Sequence, residues 1–148
     1  MAGSFSFRPY QASDREACCR IFDANCPEFF APNERADLAE FLALPPPGYE
    51  VAVGNTGVVG AFGVLREPTG LCLRWIMIAP EAQGRGLGRL MVQRAIAAVR
   101  AAGGQELHIA TSHKSDAFFA KHGAREAKRT PDGWGPGMHR VDMVLPVG

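Results

Sequence analysis

The chain lacks an excess of charge. Sixteen Lys and Arg stand against 15 Asp and Glu, a net charge of +1, so no nucleic-acid or other polyanion partner is implied. It lacks long apolar runs: no stretch approaches the ~20 residues of a membrane-spanning helix, and the first residues show no apolar core of the secretory kind. No membrane partner is expected. Cysteine is sparse. Cys18, Cys19, Cys26 and Cys72 make neither a C-x-x-C pair nor a zinc-site spacing, so no metal and no disulfide framework is expected. Such thiols suit a reducing, cytoplasmic setting. Repeats and low-complexity segments are missing too. The 148 residues read as one domain, 1–148, large enough to bury roughly two-thirds of its unfolded surface.

What is there is organised around residues 71–89. The apolar run 71–79 reads as a buried strand, which Pro80 and a short polar link terminate. Gly84, Gly86 and Gly88 then open a helix over 87–102. A strand, a glycine-rich turn and a helix aim unpaired backbone N–H groups and the positive end of a helix dipole at one point. Such a point binds anions, phosphate above all. Glycine allows a diphosphate to approach the main chain closely, and Arg85 and Arg89 flank the turn with further charge.

Three phosphate motifs compete. A P-loop needs Lys and then Ser or Thr after its second glycine, and neither follows here. A dinucleotide fingerprint needs G-x-G-x-x-G, but Arg89 holds the last position. Glu106, about 20 residues on, opens the next strand, whereas a ribose-binding acid belongs at a strand's C-terminal end. Gln83-Gly84-Arg85-Gly86-Leu87-Gly88 fits Q/R-x-x-G-x-G/A, and with its strand and helix it resembles the acetyl-CoA-binding motif of the GNAT-type N-acetyltransferases. A tight βα turn without a ligand is the bland alternative.

The remaining pattern follows the same layout. A strand at 5–8 precedes a helix to Asn25, with Ser13 and Glu16 as a capping box and Ala17, Cys18, Ile21 and Phe22 inward. The loop 26–33 carries Phe29 and Phe30 between two prolines. A helix at 33–44, with Leu38, Phe41 and Leu42 inward, stops at Pro45-Pro46-Pro47. Strands at 49–53 and 58–65 turn at Gly54-Asn55-Thr56-Gly57. The long helix buries Leu87, Met91, Ala95, Ala98, Val99 and Ala102 at helical spacing. A strand at 107–111, a helix from Ser115 to His122, and strands at 124–129 and 138–145 around a 130–137 loop complete the chain. The resemblance implies an α/β (α+β) GNAT fold: a mixed, mostly antiparallel sheet of six to seven strands with about four helices, strands 4 and 5 parallel and splayed.

The resemblance also implies the chemistry, which is acetyl transfer from acetyl-CoA, a cosubstrate, to a primary amine on a small molecule or peptide, by direct attack in a ternary complex. The main chain of Ile76, Met77 and Ile78 would hold the pantetheine arm, with the Ile78 N–H as oxyanion donor. Gln83, Gly84, Arg85, Gly86, Leu87, Gly88 and Arg89 would hold the diphosphate, with Ser112 and Phe119 further along the cofactor. An alkylammonium must lose a proton, which costs about 4–5 kcal/mol at neutral pH. The strand-4 positions where many relatives carry a glutamate hold Cys72 and Arg74 here. Glu28, Glu34, His113 and His139 are the candidate bases. Phe119 stands where relatives carry a proton-donating Tyr, with Ser112 or water as substitutes. Arg74 in an apolar strand needs a carboxylate or a substrate anion and is expected to face the acceptor cleft, with Trp75 on the opposite face in the core. Phe29, Phe30 and Trp134 would shape the acceptor site, although Trp134 suits a homodimer contact equally well.

Two further functions stay open: a catalytically degenerate acyl-CoA sensor, favoured by the missing Tyr and strand glutamate, and a nucleotide-binding oxidoreductase, which predicts stabilisation by NAD(P) instead of CoA. Gly86→Val tests the anchor. Its branched side chain disfavours positive φ and occupies the diphosphate's place, so acetyl-CoA affinity measured calorimetrically should fall severely in a folded variant. Unchanged affinity contradicts the placement.

Overall fold

A computed structural model describes residues 4–148. It contains one seven-stranded sheet, ordered β1-β2-β3-β4-β5-β7-β6, and four α-helices. The elements run β1 (Ser6–Pro9), α1 (Arg15–Ala24), α2 (Glu34–Ala43), β2 (Tyr49–Gly54), β3 (Gly57–Glu67), β4 (Gly70–Ile78), α3 (Leu87–Ala101), β5 (Glu106–Ser112), α4 (Asp116–Lys121), β6 (Arg125–Gly135) and β7 (Met138–Pro146). Every neighbouring pair is antiparallel except β4 with β5. No helix among the described residues is long and apolar enough to cross a membrane.

Register shows which helix covers which face. Glu50 pairs with Arg94 of α3, so its neighbours Tyr49 and Val51 point to the other side. There Tyr49 meets Phe41 of α2 edge-on at 5.0 Å. Thus α3 packs on one face, with Leu87, Met91, Val92, Ala95 and Val99 buried, and α1–α2 pack on the other. Ala98 and Ala102, expected inward, are exposed, and Val92 takes the inner stripe instead. Gly60 of β3 has no room for a side chain, because a Cβ would lie 2.7 Å from Met91 Cε.

The start of α1 departs from the expected capping box. A single 3₁₀ turn, Ala12–Asp14, precedes the helix. Asp14 is the residue that stitches it: its carboxylate accepts the Gln11 N–H at 2.8 Å and a two-pronged bond from Arg8 at 2.8 Å each. Ser13 is exposed. An Asp can do this in a tighter turn because its short side chain reaches back to the main chain, and the arginine's planar fork matches both carboxylate oxygens.

Two register irregularities, one in β4 and one in the edge strand β6, bear on the site. Between Ala61↔Met77 and Gly63↔Arg74, β3 advances two residues and β4 three. Trp75 and Ile76 therefore oppose Phe62 alone, a β-bulge, with Trp75 at φ +46°. A bulge bends its strand and re-aims side chains. β4 pairs with β5 only at Cys72↔His108 and Leu73↔Ile109. Past those pairs the strands part, although β5 stays paired with β7 as far as Ser112↔Arg140. The second irregularity extends the last hairpin beyond the expected 130–137 loop. β6 runs on to Gly135, and between Thr130↔Arg140 and Gly135↔Met138 it advances five residues while β7 advances two. The bulged segment carries Trp134.

The Arg8 guanidinium holds the Asp14 carboxyl below its ordinary value, against the opposing effect of burial. A depressed folded-state pKa stabilises above the unfolded value of about 3.9, and the gain is lost as pH falls through the folded pKa. Asp14→Ala should therefore cost about 2 kcal/mol at neutral pH, with the difference from wild type shrinking in urea melts below about pH 4.

Candidate active site between the splayed strands

Where β4 and β5 part, a cavity of about 920 Å³ opens. It runs from the glycine turn, along Arg74–Ile78 on one side and 109–112 on the other, to the loop between α1 and α2.

At one end stands the N-terminus of α3. Gly86 occupies its N-cap in the left-handed region, φ +83°, and provides no side-chain cap. The amides of the first helical turn therefore have no partner within the helix. A Cβ on Gly84 or Gly86 would meet nothing within 4 Å, so these glycines leave open space above the amides. Gly88 is different: a Cβ there would lie 3.0 Å from Phe118 Cζ, so its bareness seats α4 against α3. Arg89 and Lys121 bring positive charge to this end, with His122 beside them. Burial, with Lys121 and Arg89 close by, pushes the His122 imidazole below its ordinary pKa. Bare amides, a helix dipole and basic side chains suit a polyphosphate, and the donor set of this end fits the diphosphate of acetyl-CoA.

In the middle lies the gap itself. Ala79 N donates to Val59 O of β3 at 2.8 Å, so strand alternation turns the N–H and C=O of Ile78 toward the gap. The Ile78 carbonyl accepts Asn25 Nδ2 at 2.9 Å and Gln83 Nε2 at 3.0 Å. Asn25, 5% exposed, also donates to Ile21 O, and its Oδ1 accepts from Gln83. Gln83 thus braces the strand end, and its amide is directed at protein atoms. Two further carbonyls near the gap are filled by distant side chains: Trp75 O by Tyr49 Oη at 2.7 Å, and Thr111 O by Trp134 Nε1 at 2.8 Å. Ser112 and Phe119, both buried, line the gap. Ser112 Oγ accepts the Lys114 N–H.

The far end is aromatic. Phe29, Phe30, Trp75 and Trp134 line it together with Arg74 and Glu34. Phe30 stacks on Phe22 at 4.9 Å, and Trp75 leans on Phe22, Phe30 and Phe41. The bulge corrects the expected alternation of Arg74 and Trp75: both line the cavity, and Trp75 is a wall of it rather than a wholly buried core residue. Arg74 Nε lies 3.2 Å from Glu67. Asn33 Nδ2 donates to Trp134 O at 2.7 Å, clasping the last hairpin to the α1–α2 loop. Trp134 is held within its own chain, with Arg140 over its ring, which weighs for a cavity wall over a dimer contact.

Several expected site residues lie elsewhere. Glu28 is exposed and not on the cavity wall. His113 and His139 stack on each other at 4.5 Å outside the wall. His139 Nδ1 accepts the Asp132 N–H, and His113 Nδ1 accepts the His139 N–H, so the Nδ1 of each ring serves the hairpin. Arg85 lines a separate small hollow beside Phe5 and Glu81. The side chains of Leu87 and Met77 are in the core, which leaves only their main chain for a ligand. Sequence patterns missed Asn25, which reads as no more than a helix end, and Phe118, the partner of Gly88. No pattern announces a side chain whose role is to fill a carbonyl 53 residues away.

The geometry has close counterparts among solved structures. An acetyltransferase of the GNAT family from Staphylococcus aureus superposes with a TM-score of 0.77 at 18% identity, covering 98% of this chain and 100% of that one. The ribosomal-protein-S18-alanine N-acetyltransferase from Escherichia coli gives 0.79 at 16%, covering 98% and 95%. YncA from Salmonella typhimurium, solved with its cofactor acetyl-CoA, gives 0.70 at 17%, again 98% and 95%. Identities this low speak for the fold alone. No curated protein matches the chain. A family model does: the acetyltransferase (GNAT) family matches residues 18–124, well over half of the sequence, and with that match the chain belongs to the GNAT family of acetyltransferases.

Proposed function

We propose that the protein moves an acetyl group from acetyl-CoA to a primary amine by direct attack while both substrates are bound. The observation that carries this reading is the continuity of the cavity: one space joins the uncapped α3 amides, the strand gap and the aromatic end. Donor and acceptor can therefore meet without a covalent enzyme intermediate. Acetyl-CoA supplies the acetyl group as a thioester. The amides of 84–89 and Arg89 bind its diphosphate, while Arg85 stands on the other side of the turn and contributes only its main chain. The gap takes the arm, with Ile76 and Ser112 beside it. The Ile78 N–H, turned into the gap, is positioned to donate to the thioester carbonyl as negative charge develops there.

No tyrosine lines the cavity. The residue on α4 that faces the gap is Phe119, which has no proton to give. A thiol titrates near 8.5, so the departing thiolate needs little assistance, and water or the Ser112 hydroxyl is sufficient. Among the described residues no group of three or more His, Cys, Asp or Glu is placed to hold a metal ion.

Amine-dependent release of free CoA thiol tests the reading. Thiol release with amines supports transfer. Stabilisation by acetyl-CoA without such release identifies a sensor instead, and stabilisation by NAD(P) but not CoA removes the reading altogether. Phe119→Tyr adds a second measurement: the ring borders the gap, so the added hydroxyl should leave activity equal or raise it, while a collapse of the thermal midpoint marks the para position as closed core.

A further inference from the structure

The two ends of the cavity differ in charge, and the difference bears on which amines the proposed transferase takes. The α3 end carries the cations Arg89 and Lys121. At the aromatic end the charged side chains are Arg74 and Glu34. Arg74 is already paired with Glu67, and the neighbouring Arg35 is paired with Asp23 at 2.9 Å. Glu34 has no cationic partner among the described residues, although it is only 6% exposed. One oxygen, Oε2, accepts the Ala31 N–H at 2.8 Å. The other has no protein donor and is not sealed from solvent-accessible space. A carboxylate this buried normally has a cation beside it, and the open space next to this one is the acceptor end of the cavity.

Resting on the transferase reading above, we propose that Glu34 receives the ammonium group of the acceptor, takes its proton, and so selects primary amines carried on an aromatic or apolar body without a carboxylate. The walls agree with the charge. Phe29, Phe30, Trp75 and Trp134 offer faces to an apolar body and to a cation, while an acceptor carboxylate would find Arg74 engaged and Glu34 repelling. Burial, against the opposing Ala31 N–H bond and with a smaller push from Asp37, raises the Glu34 carboxyl above its ordinary pKa, the direction that suits a general base. The step balances. The ammonium gives one proton to Glu34, and the free amine nitrogen forms a bond to the acetyl carbon as the carbon–sulfur bond breaks. The nitrogen's second proton passes through water to the sulfur. The products are an amide and CoA thiol, and Glu34 returns its proton to solvent.

Glu34→Gln separates this from a structural role, because the amide oxygen still accepts the Ala31 N–H and keeps the turn. Wild type and E34Q are compared in acetyl-CoA affinity by calorimetry and in thiol release with 2-phenylethylamine, tryptamine, 1,4-diaminobutane and glutamate. Arylethylamines should be the preferred acceptors of the wild type. Their kcat/KM should fall about 100-fold or more in E34Q, with acetyl-CoA affinity unchanged, and Glu34→Asp should recover part of the loss. Full activity in E34Q or a preference for glutamate overturns the Glu34 assignment, whereas acetyl-CoA binding with no turnover of any amine is the sensor outcome and overturns the transferase reading. Failure to bind acetyl-CoA at all overturns that reading as well.

Discussion

The missing hydrogen bonds between β4 and β5 are the constraint to which the rest of the molecule answers. Two parallel strands at the middle of a sheet would ordinarily pair along their length, and here they hold together at two positions. The bulge at Trp75 and Ile76 is the local cause on β4, since it adds a residue against Phe62 and turns the strand. Opening a sheet leaves main-chain groups without partners, and each one buried in that condition costs about 1–3 kcal/mol. Side chains from distant parts of the chain meet that cost. Asn25 ends α1, Gln83 leads into α3, Tyr49 begins β2 and Trp134 sits in the β6 bulge, and each donates to a carbonyl on or beside the gap. Main-chain groups that stay open to the gap are then available to a ligand with amides of its own.

A slot of this kind has polarity because its two ends are built from different elements. Helix α3 presents its positive end without a cap, and basic residues from α3 and α4 gather there. The α1–α2 loop and the last hairpin close on the other end with aromatic rings and one buried carboxylate. Gly88 links the ends mechanically: its lack of a side chain lets Phe118 rest on α3, which fixes α4, and with it Phe119, against the gap. The clasp from Asn33 to Trp134 does the same for the acceptor end. The family's reaction needs both features at once, an anion grip and a lined opening, joined by a gap narrow enough to align them.

The order of elements, the seven strands and the glycine turn were legible in sequence because they depend on local signals. Alternation, helical spacing, proline stops and positive-φ glycines act within a few residues. The details that failed depend on contacts far along the chain. Ser13 satisfies the capping pattern, yet Arg8 draws Asp14 into that task. Arg74 and Trp75 obey alternation until a bulge, specified by packing against β3 and by the Tyr49 hydroxyl, breaks it. Glu28 and Glu34 are indistinguishable as acids in a polar stretch, but the first turn of α2 buries one and leaves the other in water. His113 and His139 stand in a loop and a strand, and their place outside the cavity wall, with each Nδ1 accepting a main-chain N–H, is set by the last hairpin.

By itself, then, the sequence determined the fold class, the family and the place of the uncapped glycine turn that opens α3, because strand-turn-helix geometry and the glycines that allow it are encoded in adjacent residues. Tertiary structure alone decided which side chains face the cavity, which carboxylate is withdrawn from water, and which residues satisfy the carbonyls that the open sheet leaves bare. Those properties are distances between segments remote in the chain, and burial and electrostatics follow from distance in space, not from order in sequence.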